Sequence, residues 1–266
     1  MKSYNSYTKF VFFILIFLSY NCLFSQEHPS VMSFSPENYG AENQNWDITQ
    51  TDNQFMYFAN NLGLLEFNGA KWTLYPVPDN QINNSIVRSV KAIGNKIYSG
   101  SYMDFGVWEH DNFGVLQYQS IPLKLGIDID DDEQFWNIEV VGNWILFQSL
   151  SRIYLIDSIN NSVKIIESDY EIWNSFDVNG IVYFVKKNKG IYKITNGEVT
   201  LFSNSPKLIN SKIVGIFKLN DKLLFVTANK GILYFEDERI SYWELGGDID
   251  LSKFSIYSSN QLNDDS

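Results

Sequence analysis

A glycine phrase that returns about every 42 residues constrains this chain more than any other feature. It centres on Gly63 in MYFANNLGLLEFNGAKWTLY and on Gly106 in IYSGSYMDFGVWEHDNFGVLQY. It returns at Gly190 in VYFVKKNKGIYKITNGEVTLF and at Gly231 in LLFVTANKGILYFEDERISYW. WILFQSLSRIYLIDSINNSVKII fits the same frame with Arg152 at the glycine position, and a sixth unit begins at Phe254-Ser255-Ile256-Tyr257. A unit of this length cannot bury its apolar surface alone, so the chain must stack its repeats.

Each unit has the same internal order. A β-rich run such as 56–59 leads into a polar turn, the glycine and a second run, 64–67. A tight turn follows, Asn68-Gly69, Asn196-Gly197 or Asp237-Glu238, and then a third run such as 71–75. Asn-Gly between apolar runs is a strong hairpin signal, because both residues tolerate positive φ. A further strand precedes each unit, over 46–50, 86–92, 135–141, 172–178 and 213–219. Four strands per repeat, with several nearly continuous apolar runs, predict sheets covered on both faces. No helical periodicity competes after Gln26. The expected fold is all-β: a β-propeller of five repeats and a partial sixth, over 26–266, whose ring is not demonstrably closed. A β-sandwich would not repeat one glycine phrase at constant spacing.

The first 25 residues read as an address. Lys2 and Lys9 precede the apolar run Phe10 to Leu18, which is too short to span a bilayer comfortably. A signal peptide over 1–25 and an exported, periplasmic or secreted, protein are expected. Acylation at Cys22 and an uncleaved anchor are the alternatives. The net charge of −11 and the lack of any basic run argue against binding nucleic acid.

Two segments carry a resemblance. The first is Tyr39-Gly40-Ala41-Glu42-Asn43-Gln44-Asn45-Trp46, continued by Tyr57-Phe58-Ala59-Asn60-Asn61-Leu62-Gly63-Leu64-Leu65-Glu66-Phe67-Asn68-Gly69. The second is Ile86-Val87-Arg88-Ser89-Val90 with Gly100-Ser101-Tyr102-Met103-Asp104-Phe105-Gly106-Val107-Trp108. Together they resemble the two-component-regulator propellers of Bacteroidetes, densely from Tyr39 to Trp108. The resemblance implies a periplasmic sensor half. In that family a triple-tyrosine domain, a membrane helix and a histidine kinase or helix-turn-helix output follow. None is present in this sequence, so neither kinase nor DNA-binding activity carries over. A fragment, a stand-alone sensor and a smaller ring closed by 27–34 all remain open.

Residues for chemistry are sparse. His28 and His110 have no companions at metal-ligand spacing, and no nucleophile elbow or phosphate loop appears. No metal, cofactor or catalytic residue is expected. The run Asp128, Asp130, Asp131, Asp132, Glu133 lacks the glycine turn and distal Glu of a calcium loop, and reads as a solvated inter-blade loop. Propeller glycosidases use carboxylates from several blades around the central channel, and Asp47, Asp104 and Glu139, near first-strand or turn positions, are the ones that could converge in this way. Asp47 beside Trp46 is echoed by Trp136-Asn137 and Trp173-Asn174, which suggests a repeated structural role, with the tryptophans packed between blades.

Binding is the better expectation. Asn60, Asn61, Tyr102, Asp104, Asn188 and Asn229 precede the repeat glycine in equivalent turns. Amides and aromatics suit hydroxyl-bearing ligands such as glycans or other small molecules. Pairing through sensor domains into a homodimer is a further expectation, with membrane contact only through the signal peptide or a segment outside the chain. The alternatives are a secreted carbohydrate-active propeller enzyme and a protein-interaction scaffold.

Overall fold

The computed structural model describes residues 31–78, 86–195, 197–244 and 250–260. The expected signal peptide, Cys22, His28 and Asn196 lie outside them. The chain divides into Met1–Phe34 and Ser35–Ser266, and the second unit holds the fold.

Among the described residues, twenty strands form five antiparallel four-stranded sheets, each in simple sequence order. The first blade is β1 (Asn45–Gln50), β2 (Met56–Asn60), β3 (Gly63–Phe67) and β4 (Trp72–Tyr75). The second is β5 (Val87–Ile93), β6 (Lys96–Ser101), β7 (Phe105–His110) and β8 (Leu116–Ser120). The third is β9 (Asn137–Val141), β10 (Trp144–Gln148), β11 (Arg152–Asp157) and β12 (Val163–Glu167). The fourth is β13 (Ile172–Val178), β14 (Ile181–Lys186), β15 (Gly190–Thr195) and β16 (Glu198–Ser203). The fifth is β17 (Ile213–Leu219), β18 (Lys222–Thr227), β19 (Ile232–Glu236) and β20 (Arg239–Tyr242). The helices are single turns outside the sheets: α1 (Pro36–Tyr39), α2 (Ile121–Leu125) and α3 (Pro206–Ile209).

At two of the repeat positions, Gly63 and Gly190, the glycine has a packing reason. Gly63 opens β3 at φ 139° and Gly190 opens β15 at φ 122°. A Cβ there would overlap the carbonyl oxygen of Tyr75 or Ser203, at the end of the fourth strand. Only glycine combines that backbone angle with that close approach. At the outer hairpin of the fifth blade, Asp237 and Glu238 take φ 49° and 60° without glycine, the paired positive angles of a tight two-residue turn.

The first strands of successive blades lie side by side, from β1 through β5, β9 and β13 to β17. They are stitched by polar side chains. Asp47 accepts from the Val90 amide at 2.9 Å, and Ser89 Oγ donates to the Phe135 carbonyl at 2.9 Å. Asn137 Nδ2 donates to the Ser175 carbonyl at 2.6 Å, and Asn174 Nδ2 reaches the Ile213 carbonyl at 3.4 Å. Asp47 and Asn137 also accept from the next amide of their own chain, at 2.8 and 3.0 Å. The expected shared structural role of these two residues is therefore observed.

Among the described residues, the buried apolar side chains form four main clusters, one at each junction of neighbouring blades. Leu64 with Val90, Phe105 with Phe147, Leu155 with Phe184, and Ile191 with Phe225 represent them in chain order. Among the described residues no fifth cluster joins blade five to blade one, and β17 does not lie beside β1 as the other neighbours lie together. The five described sheets thus form an open arc. One register position makes the point. Ile48, Val90, Ile138, Ser175 and Ile216 sit opposite equivalent residues of the second strand. Val90, Ile138 and Ile216 are 2 to 3% exposed, whereas Ile48 is 52% exposed, because no blade precedes it.

The expected sixth unit is present only as an extended segment. The Ile256 amide donates to the Ala228 carbonyl at 2.8 Å, repeating the bond from Ile172 to the Leu150 carbonyl where blade four begins. Ser259 Oγ donates to the Val214 carbonyl at 3.0 Å. Residues 254–260 thus follow the path of a first strand beside β17.

Candidate functional site

In four of the five blades the first strand carries a register irregularity near its start; blade three has none. It falls between Asn45 and Asp47, between Val87 and Ser89, between Ile172 and Ser175, and between Ile213 and Gly215. A bulge re-aims the side chain it inserts. The inserted residues are Trp46, Arg88, the pair Trp173-Asn174, and Val214. Trp136 precedes Asn137 at the corresponding place in blade three, and its amide donates to the Gln148 carbonyl at 2.8 Å.

Three of these side chains meet. The Arg88 guanidinium lies 4.3 Å from the Trp46 ring centre and 4.9 Å from that of Trp136. The two indoles stand edge to face at 5.8 Å, so the cation fills the corner between them. Arg88 Nε donates to Gln134 Oε1 at 2.8 Å. Asn61 Oδ1 accepts from Trp46 Nε1 at 2.8 Å and from Arg88 at 3.4 Å, while Asn61 Nδ2 donates to Glu42 at 2.9 Å. Burial pulls the Arg88 pKa below its ordinary value. Trp46 is still 42% exposed. An accessible indole, a guanidinium with spare N–H groups and two carboxamides thus converge from three consecutive blades.

This changes the reading of the tryptophans. Trp46 and Trp136 do not belong to the apolar junction clusters; they hold Arg88 between them. Trp173, half-buried, does pack against the junction cluster of blades four and five, with the Lys187 ammonium 5.6 Å from its ring centre.

The six expected binding residues separate. Asn61 belongs to the cluster. Asn60 is fully buried, and its amide donates to the Glu42 and Gln44 carbonyls and to Asn45 Oδ1, while its oxygen accepts from the Leu62 amide. It has no face left for a ligand, and holds the turn that positions Asn61. Tyr102 donates to Asp132. Asp104 is half-buried and accepts from Tyr118 at 2.9 Å, Ser120 at 2.7 Å and the Phe105 amide at 2.9 Å. Burial raises its pKa despite those bonds. Asn188 and Asn229 are exposed on blades four and five, and Asn229 borders a cleft of about 810 Å³ with Tyr242 and Trp243. Among the described residues no hydrogen bond joins either of them to the Arg88 cluster.

The acidic run also divides. Asp128, Asp130, Asp131 and Asp132 are exposed, but Glu133 is buried. It accepts from Ser149 at 2.5 Å and Tyr154 at 2.9 Å and lies 3.6 Å from Arg152. Glu133 therefore does not belong to a solvated loop; it pins that loop to blade three. Among the described residues no group of three or more His, Cys, Asp or Glu side chains is placed to hold a metal. Asp47, Asp104 and Glu139 do not share hydrogen bonds with one another; Asp47 and Asp104 are each engaged within the sheets.

The architecture places the chain in the β-propeller class. No family model and no curated protein matches its sequence. Solved structures do match. Virginiamycin B lyase from Staphylococcus aureus superposes with a TM-score of 0.57 at 19% identity, over 77% of this chain and 72% of that one. The extracellular domain of a hybrid two-component system of B. thetaiotaomicron, BT3049, gives 0.52 at 15% identity, over 84% of this chain but 38% of that one. A second such domain, BT4673, gives 0.57 at 11% identity, over 79% and 28%. At these identities the likeness is one of fold. Among the described residues no helix is long and apolar enough to cross a membrane.

Proposed function

We propose that this chain is an exported recognition propeller, related to the input half of a two-component or one-component regulator and not catalytic in itself. The observation that carries this reading is the cluster of Trp46, Arg88, Trp136 and Asn61 at the start of the inner strands. An exposed indole offers a flat apolar face, and the guanidinium and carboxamides offer directed hydrogen bonds. That combination suits a small polyhydroxylated ligand such as a glycan. The resemblance over Tyr39 to Trp108 supports the reading, because Trp46, Asn61 and Arg88 lie inside it, and so does the shared fold with extracellular sensor domains. Export rests on the layout of residues 1–25.

A glycan array followed by calorimetry on the mature chain tests this. Binding without turnover, lost in Trp46→Ala and Arg88→Ala chains that keep their fold, is the expected result. Released product would favour a carbohydrate-active enzyme. Capture of a protein partner with no glycan bound would favour a scaffold.

A further inference from the structure

A second place in the molecule has the makings of a binding site, apart from the Arg88 cluster. A cavity of about 400 Å³ opens along the inner strands of blades two to five. Lys91, Glu139, Phe176, Asp177, Phe217 and Lys218 line it. Glu139 is the unusual member. Its side chain is 12% exposed, yet among the described residues its polar contacts are with Lys91 Nζ and Asn137 Nδ2, both 3.4 Å long. A well-partnered buried carboxylate draws its donors to less than about 3 Å. Burial raises its pKa, and the charge of Asp177 adds to the rise.

Lys91 is a loose partner, with its own side chain 43% exposed. The second carboxylate, Asp177, stands on the exposed rim, and Lys218 is exposed too, keeping its ammonium in water. The half-buried rings of Phe176 and Phe217 occupy the register positions that Lys91 and Glu139 hold on their own strands. Carboxylates beside aromatic rings favour a cation with an apolar tail. A metal ion is a poorer fit, because no third ligand is placed with the two carboxylates among the described residues.

We propose that this cavity binds a small primary alkylammonium compound, whose nitrogen takes the place of the Lys91 ammonium against Glu139 and whose alkyl part lies against Phe176 and Phe217. Lys91 is then an internal stand-in for the ligand.

The test is chemical rescue in the full chain, with n-butylammonium as the probe. Lys91→Ala should melt a few degrees lower than the parent. Butylammonium should restore that loss and bind the variant at least about tenfold more tightly than the parent by calorimetry. The double variant Lys91→Ala with Glu139→Gln should show neither effect. Equal rescue by magnesium or sodium chloride, no rescue at all, or undiminished rescue in the double variant would each overturn the proposal. Should Lys91→Ala not fold, the parent chain decides: butylammonium should shift the Asn137 side-chain amide resonances in an NMR titration, and unmoved resonances would overturn it.

Discussion

Ile48 and Ile138 occupy the same register position and meet opposite fates. Ile138 is sealed against the blade before it, and Ile48 looks into solvent. The difference lies in the neighbour and not in the residue. Within a blade, backbone pairing and the glycine contact define the sheet; between blades, a second sheet must arrive before an apolar face is buried. The arc therefore has junctions that are dry and stitched, and end faces that depend on what else covers them. At the first end, α1 helps: Tyr39 packs 5.5 Å from the Trp72 ring, which also stacks on Phe67 at 4.5 Å. Residues 254–260 do the corresponding work along β17.

Several substitutions would break or sharpen this contrast. The largest effect is expected at a junction: Phe147→Ala removes the ring stacked on Phe105, leaves a cavity there, and should cost about 4 kcal/mol in urea unfolding. Glu133→Ala comes next. It takes the acceptor from Tyr154 and Ser149 and one of the carboxylates from Arg152, and should cost about 3 kcal/mol, measured the same way. Gly63→Ala and Gly190→Ala should each cost about 2 kcal/mol and do so alike, because the clash lies inside a blade and ignores its place in the arc. A clear difference between the two would tie the glycine to the junctions after all. Ile48→Ala should change stability by less than about 0.5 kcal/mol. A cost equal to that of Ile138→Ala would mean that the first face is covered in solution.

The smallest effect is one of pH. The folded state raises the pKa of Glu139 by burial, so the native protein holds that proton more tightly than the unfolded chain. The contribution is fully present below the unfolded value of about 4.3 and is lost as pH rises from there through the higher folded value. Glu139→Gln should remove this share, leaving a shallower fall in unfolding free energy across that range.

The sequence shows the blades plainly. The glycine phrase and the five leading strands lie where they are read, since period and turn chemistry are local properties. The echo of Asp47 in Asn137 is legible too, because both side chains answer the same backbone need. The Arg88 cluster is harder to see. Trp46, Arg88 and Trp136 come from separate repeats and meet at the start of their first strands, where an extra residue re-aims Trp46 and Arg88. Superimposing the repeats on their first strands, and not on the glycine, would have brought the three into one column. Asn60 and Asn61 are indistinguishable neighbours by type; the alternation of a strand end buries one and presents the other. Openness leaves no trace at Ile48, whose local pattern matches that of its buried counterparts.

The stitches between inner strands differ in polarity. The first junction uses an acceptor, the Asp47 carboxylate, against an amide N–H, and the next three use donors against carbonyl oxygens. The first junction is thus keyed differently from the other three, although the blades look alike. In a repeat protein, where out-of-order docking is the characteristic error of folding, such a key discriminates against another blade docking in place of blade one.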